Sequence, residues 1–235
     1  NPTLSPFDEF QRFKTHPTMR KYFEGGRRIS YGARALVEGG VQALPKLTFP
    51  GGVLVGDAAG LLNVPKVKGT HTSMKSGILA AEAIADALAH DGPAEVTSYT
   101  DRVKSSWLWE ELQSVRNIRP AFQKWGRWGG LAYSGIDTYI FRGKAPWTLH
   151  YDHGDHETLI PADKAQPIKY PRPDGVLTFD RLSSVFISNT NHEENQPVHL
   201  TLKDPSKAID VNWNRYRSPE QRYCPAGVYE IVGAE

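Results

Sequence analysis

Residues 52–88, GVLVGDAAGLLNVPKVKGTHTSMKSGILAAEAIADAL, constrain the fold more than any other stretch of the chain. Val53, Leu54 and Val55 make a short apolar run with β-branched ends, the pattern of a strand buried on both faces. Gly56 interrupts it, and Asp57 follows at the strand's carboxyl end, where open α/β sheets gather their ligands. Ala58, Ala59 and Gly60 let backbone approach closely. A long helix of small residues comes next, with Thr70 or Thr72 as its cap and Ser73, Gly77, Ala80, Ala81 and Ile84 on a narrow packing face. Its amino terminus points back at the Gly56-Asp57 turn, offering unpaired N–H groups and the positive dipole end to an anionic or electron-rich ligand.

The rest of the chain must supply a core for this unit. At 235 residues, 39% hydrophobic and 11% aromatic, there is enough for one large domain or two small ones. A net charge of +2, from 28 basic and 26 acidic residues, is too even for a nucleic-acid or polyanion binder. Cys224 is the single cysteine, which excludes an internal disulfide framework and a metal site built from several thiolates of these residues, and fits a reducing compartment. No apolar run reaches the roughly 18 residues of a spanning helix. The opening NPTLSPFDEF lacks both an initiating Met and the apolar core of a signal peptide, so the chain reads as cut from something longer.

Along the chain, FDEFQRF reads as a short amphipathic helix with Phe7, Phe10 and Phe13 on one packing face. Arg20, Lys21, Arg27 and Arg28 cluster near Gly25-Gly26, either steering an anion or simply solvated. Pro45 and Pro50 break strands and loops that lead into the central strand, and His90-Asp91-Gly92-Pro93 stops the long helix. A covering helix is expected over 95–116, closed by Arg116, Arg119 and Pro120. Between 125 and 147, Trp125, Trp128, Tyr133, Tyr139, Phe141 and Trp147 lie among glycines with Arg127, Arg142 and Lys144 nearby. This reads either as a two-stranded hairpin turning near Gly135 or Asp137 at a membrane interface, or as an aromatic cluster under a loop. HYDHGDHE at 150–157 is open between a solvated loop and a metal site. Pro161, Pro167, Pro171 and Pro173 mark a linker and a domain boundary. Strand and turn are expected over 176–189, a strand over 198–202, and an aromatic strand after Cys224-Pro225.

The segments GDAAGLLNVPKVKGTHTSMKSGILAAEA, SVRNIRP, RGKAPWTL, FDRLSSVFISNTNHEENQPVHL and PEQRYCPAGVYE together closely resemble the carboxyl-terminal half of the electron transfer flavoprotein-ubiquinone oxidoreductase family. The resemblance covers essentially the whole chain. It implies an oxidoreductase with FAD and a [4Fe-4S] cluster, passing electrons from reduced electron transfer flavoprotein to ubiquinone. It also implies a peripheral, monotopic seat on the inner face of the bacterial cytoplasmic membrane or on the mitochondrial inner membrane. The implied fold is α/β and α+β: residues 1–31 end a ubiquinone-binding domain, 32–178 are the later segment of a glutathione-reductase-like FAD domain with the membrane-surface hairpin, and 179–235 begin a ferredoxin-like cluster domain.

By the same resemblance Asp57 bonds a ribityl hydroxyl, Gly56, Ala58, Ala59 and Gly60 lie near the pyrophosphate and ribityl chain, and Asn63, Lys68, Gly69 and Thr70 face the isoalloxazine. Cys224 matches the first cluster cysteine, and no acid–base catalytic residue is implied, since the cofactors carry the chemistry. The family's GxGxxG and its other three cluster cysteines are not among these 235 residues. The same Gly-Asp turn also accommodates another FAD-dependent reductase or hydroxylase, and the chain alone a noncatalytic membrane-peripheral module.

Overall fold

The computed structural model describes residues 1–198 and 200–233. Its helices are α1 (Pro6–Lys14), α2 (Pro17–Arg20), α3 (Thr70–Ala89), α4 (Ser98–Lys104), α5 (Trp107–Ser114), α6 (Ile118–Gly135), α7 (Arg181–Phe186), α8 (Asn214–Tyr216) and α9 (Glu220–Tyr223). Two short strands, β1 (Thr48–Phe49) and β2 (Gly52–Val53), make a two-stranded sheet. The fold is thus mixed but dominated by helices. The chain divides into two compact units, one of residues Ala35–Gly154 and one of Asn1–Arg34 with Asp155–Glu235.

In the unit 35–154 the apolar run at 53–55 makes less strand than expected, and it is not buried on both faces. Gly51, at φ +82°, reverses the chain after Pro50, so β2 pairs antiparallel with β1, Thr48 opposite Val53. Val55 lies exposed beyond the pairing. The chain then enters a 3-10 turn at Gly56–Ala59 and reaches α3.

Neither threonine caps α3. Gly69 is the N-cap and has no side-chain cap, while the Thr72 hydroxyl donates to the Leu61 carbonyl at 2.5 Å and to Gly69 O at 2.9 Å. The packing face is also rotated from the one expected: Thr72, Ser76, Leu79, Ala80 and Ala83 are buried, and Ala81 is exposed. The cause is polar. Ser76 Oγ accepts the Gly56 N–H at 2.9 Å and donates to Ser73 O, so the hydroxyl face satisfies the turn's backbone and turns inward. The helix stops at the His90-Asp91-Gly92-Pro93 signal, with Gly92 N–H on Ala87 O at 2.7 Å and Pro93 following.

The covering helix is two helices. Ser105 and Ser106 hydroxyls bond the carbonyls of Asp101, Arg102 and Val103, and extended backbone at Ser106 lets α5 turn back onto the core. Tyr99, Val103, Leu108 and Leu112 then pack with Leu61, Leu79 and Ala83. Tyr99 is fully buried, and its hydroxyl donates to Leu54 O at 3.1 Å, which fixes α4 to the end of β2. Tyr99→Phe is therefore expected to cost about 1 kcal/mol, read as a lower urea midpoint at an unchanged slope.

No hairpin forms over 125–147. The segment is α6, broken at Gly126 (φ +65°), and runs on as a π-helical turn at Ile136–Ile140. The glycines read as turn signals serve packing instead: a Cβ on Gly130 would lie 2.6 Å from the Phe122 ring, and one on Gly129 2.5 Å from Trp125 Cβ.

In the other unit, Ser5 caps α1 by accepting the Asp8 N–H, and Pro6 begins the helix. Its three phenylalanines do not share a role. Phe7 is buried against Tyr31, edge on at 5.8 Å, whereas Phe10 and Phe13 stack on each other and stay exposed. Lys14, one turn pair beyond Phe7, takes the inner place. The proline-rich run is not a free linker: Tyr170 accepts from Ser5 N and donates to Glu9, and Ile168 N–H meets Thr3 Oγ1.

Strand is not found over 176–189. Asp174 Oδ1 gathers the N–H groups of Val176, Leu177 and Thr178 into a turn, and Asp180 caps α7 through Ser183. Among the described residues neither 198–202 nor the stretch after Pro225 is strand; His199, within the first of these, lies outside the described residues.

Candidate functional site

The Gly-Asp turn and the start of α3 come together as expected, and their close approach is visible in what glycine avoids. Gly56, at φ +56°, would place a Cβ 2.7 Å from Ser73 Oγ. A Cβ on Gly69 would lie 2.6 Å from Asp57 Oδ1 and 2.9 Å from Leu62 Cδ1. Asp57 is exposed, and its carboxylate has no hydrogen-bond partner among the described residues. An acceptor thus stands free beside the uncapped amino terminus of α3, where Thr70 is also exposed. Ala58 is exposed, Ala59 and Gly60 are buried, and Gly60 at φ +78° closes the turn by donating to Asp57 O.

Asn63 is placed differently from Asp57. It is fully buried, and its side chain is engaged inward: Nδ2 donates to Glu111 at 2.7 Å and Oδ1 accepts the Lys66 N–H. Its backbone pairs with Lys68, closing 63–68 into a loop and leaving the Lys68 side chain exposed.

Glu111 is the residue sequence reasoning missed. From α5 its Oε1 accepts from Asn63, from Lys66 Nζ at 2.9 Å and from His71 Nε2 at 3.0 Å, tying the loop and the first turn of α3 to the core. His71 also stacks on Trp107 at 5.9 Å. Burial pulls the Glu111 carboxyl up, but hydrogen bonds from Lys66, His71 and Asn63 outweigh it and hold the group down to about 2. WLWEELQ offers only a covering-helix pattern, and nothing in it separates Glu111 from Glu110.

The aromatic segment sorts into two sets. Trp125 packs on Tyr133 at 5.1 Å, Tyr133 OH accepts Trp147 Nε1–H at 2.7 Å, and Trp147 meets Phe141 edge on at 5.0 Å. Trp128 and Tyr139 stand outside this chain of rings, 78% and 83% exposed, with Ile140 and Leu131 also exposed and Arg127, Arg142 and Lys144 nearby in sequence. The SVRNIRP and RGKAPWTL segments meet beneath it. Arg116 donates to the carbonyls of Gly143, Ala145 and Trp147 and to Thr148 Oγ1, and Asn117 bonds Trp147 O and Leu149 N. Asp137, in the π turn, is 1% exposed with Oδ1 unpartnered, and burial pushes its carboxyl up despite Arg116 and Asn117.

In the other unit Cys224 is buried, and its Sγ accepts the Val228 N–H at 3.5 Å. Arg181 holds the turn, donating to Gln221 O, Cys224 O and Ser5 Oγ. One thiol does not make a cluster site, which takes about four ligands. Among the described residues no three of His, Cys, Asp and Glu converge on a metal-sized point, the 150–157 histidines included. Nor is any helix among them long and apolar enough to cross a membrane.

Two family descriptions match the chain. Residues 175–235 match the 4Fe-4S model of electron transfer flavoprotein-ubiquinone oxidoreductase, and residues 1–36 match the ETF-QO ubiquinone-binding model. The mitochondrial electron transfer flavoprotein-ubiquinone oxidoreductases of Bos taurus and Homo sapiens are each 56% identical over 242 residues, covering 100% of this chain and 39% of the relative. The Pseudomonas aeruginosa enzyme is 57% identical over 234 residues, covering 99% of this chain and 42% of the relative. The chain therefore spans about two fifths of the length of the curated relatives it matches. From end to end the chain is thus similar to a part of electron transfer flavoprotein-ubiquinone oxidoreductase, with its two ends matching the 4Fe-4S and ubiquinone-binding models of that family.

Proposed function

We propose that this chain is the part of a membrane-peripheral oxidoreductase that completes the FAD site and contributes one cluster thiolate, in an enzyme that passes electrons from reduced electron transfer flavoprotein through FAD and a [4Fe-4S] cluster to ubiquinone. The observation that carries the reading is the free Asp57 carboxylate beside the uncapped start of α3, in a chain 56% identical throughout to enzymes of that name. Bound FAD would supply the electron-transfer chemistry. Asp57 would accept from a ribityl hydroxyl, the bare backbone of Gly56, Ala58 and Gly60 would admit the ribityl and phosphate portion, and the α3 N–H groups at Thr70 would face the electron-rich edge of the ring. Gly69 keeps Asp57 in place, and Asn63 positions the loop without offering its amide outward. Cys224 would give the cluster one thiolate, with the Val228 N–H on its sulfur. The finer domain reading, 1–31, 32–178 and 179–235 as quinone, FAD and cluster segments of a glutathione-reductase-like and ferredoxin-like enzyme, is part of the same proposal.

The outer aromatic set would be the membrane contact. Trp128, Tyr139 and Ile140 present apolar and amphipathic surface with cations close by, as interfacial helices do. The inner set, Trp125, Tyr133, Phe141 and Trp147, would shape the face rather than insert. The test uses the full-length protein with Trp128, Tyr139 and Ile140 all changed to Ser. Electron transfer from reduced electron transfer flavoprotein to a water-soluble short-tail quinone should stay at the wild-type rate, while binding to vesicles and reduction of vesicle-embedded quinone fall about tenfold. Wild-type full-length protein that reduces neither quinone would overturn the functional reading; an unchanged vesicle affinity would overturn the membrane face alone.

A further inference from the structure

In the unit formed by residues 1–34 and 155–235 a cleft of about 260 Å³ opens beside α1, walled in part by Phe10, Tyr22, Phe23 and Phe179. Three cations share it. Lys14 is the buried one, 8% exposed, with its ammonium 4.9 Å from the Phe179 centroid and 5.8 Å from that of Phe10. Arg28 lies over the same Phe179 ring at 4.1 Å and donates to the Ser183 and Ser184 hydroxyls. Arg27 is exposed at the cleft and bonds nothing among the described residues.

None of the three meets a carboxylate at ion-pair distance among the described residues. The acidic groups that act on them are committed elsewhere: Asp174 to the N–H groups of its own turn, Asp180 to the cap of α7. Burial and the neighbouring Arg28 both pull the Lys14 ammonium below its ordinary range. The aromatic rings offset only part of the cost of placing one cation beside another away from water. What remains is a positive field inside an aromatic-walled cleft, a combination suited to an anion that carries an apolar body.

We propose that this cleft binds a phosphate-type anion on an apolar body, an anionic phospholipid headgroup or a phosphate monoester, with Lys14, Arg27 and Arg28 on the anion and Phe10, Tyr22 and Phe23 on the apolar part. The inference does not depend on the flavin site, since every residue it uses belongs to the other unit.

Calorimetric titration of the full-length protein tests it, with dihexanoyl phosphatidylglycerol, phenyl phosphate and, as the zwitterionic control, dihexanoyl phosphatidylcholine. Saturable binding of the two anionic probes and not of the control is expected, and the tighter of the two identifies the source of the anion. Lys14→Met keeps the apolar stem and removes a buried charge that no ion pair among the described residues offsets, so it should weaken binding about tenfold while raising the melting temperature of the unliganded protein. Arg27→Gln, which breaks no hydrogen bond or ion pair among the described residues, should weaken binding with no change in melting temperature. A lower melting temperature for Lys14→Met with unchanged binding would make the charge structural and overturn the site. So would the absence of saturable anion binding in the full-length protein, which would mean that the rest of that chain covers the cleft.

Discussion

Asp57→Ala is expected to lower the FAD affinity of the full-length protein by up to about a hundredfold, the upper range for a hydrogen bond to a charged group. The structure makes this test clean because Asp57 supports nothing else: its carboxylate is exposed, bonds no described residue, and sits on a turn closed by backbone bonds from Gly60 and Leu61. Removing it should leave folding and melting temperature of the flavin-free protein unchanged. Gly69→Ala should reproduce much of the loss from a distance, since its Cβ would press on Asp57 Oδ1 and on Leu62 Cδ1, and the carboxylate is the group free to swing away. Flavin content after dialysis, measured by absorbance for wild type and both variants, checks the pair. Wild-type flavin retention by Asp57→Ala would remove Asp57 from the site; a loss with Asp57→Ala but none with Gly69→Ala would mean that the carboxylate tolerates displacement.

How far the sequence showed this site depends on what kind of force places each residue. The Gly-Asp turn and the helix after it were legible because steric rules act within a few residues: Gly56 and Gly60 at positive φ, the stop at Gly92-Pro93. The facing of that helix was not. Apolar periodicity favours Ala81 and Ile84, but Thr72 and Ser76 turn inward because the hydroxyls are needed by backbone groups of the Gly56–Leu61 turn, a demand that no helical pattern encodes. Over 125–147 the glycines carried two meanings. They mark turns in most sequences, yet here Gly129 and Gly130 make room for Trp125 and Phe122 within α6, and only Gly126 breaks the helix. The SVRNIRP and RGKAPWTL segments carry no local sign that Arg116 gathers carbonyls from 143–147, because that contact depends on a return of the chain some thirty residues later.

Glu111→Gln shows the same long-range dependence as stability. The folded carboxyl titrates at about 2 against 4.5 for an unconstrained one, and a depressed acid contributes stability above its unfolded value and loses it as pH falls through the folded one. The full shift would correspond to roughly 3 kcal/mol, but Lys66 and His71 are substantially exposed and solvent screens both, so about 2 kcal/mol is the expected contribution at neutral pH. Urea unfolding of wild type and Glu111→Gln should differ by that amount at pH 7, and the gap should close between pH 4.5 and pH 2, where the wild-type carboxyl also becomes neutral. High salt at pH 7 should narrow the gap as well. The consequence for function follows from what Glu111 holds. Without its charge Asn63, Lys66 and His71 keep only a neutral acceptor, so the 63–68 loop is held less firmly to α5 and the first turn of α3 is tethered more weakly. Amide exchange over 63–71 should therefore accelerate in the variant at pH 7 while exchange at Val103 and Leu112 in the core stays slow. Equal exchange in the two proteins over 63–71 would show that the loop holds its shape without Glu111, and would leave the carboxylate a contributor to stability and nothing more.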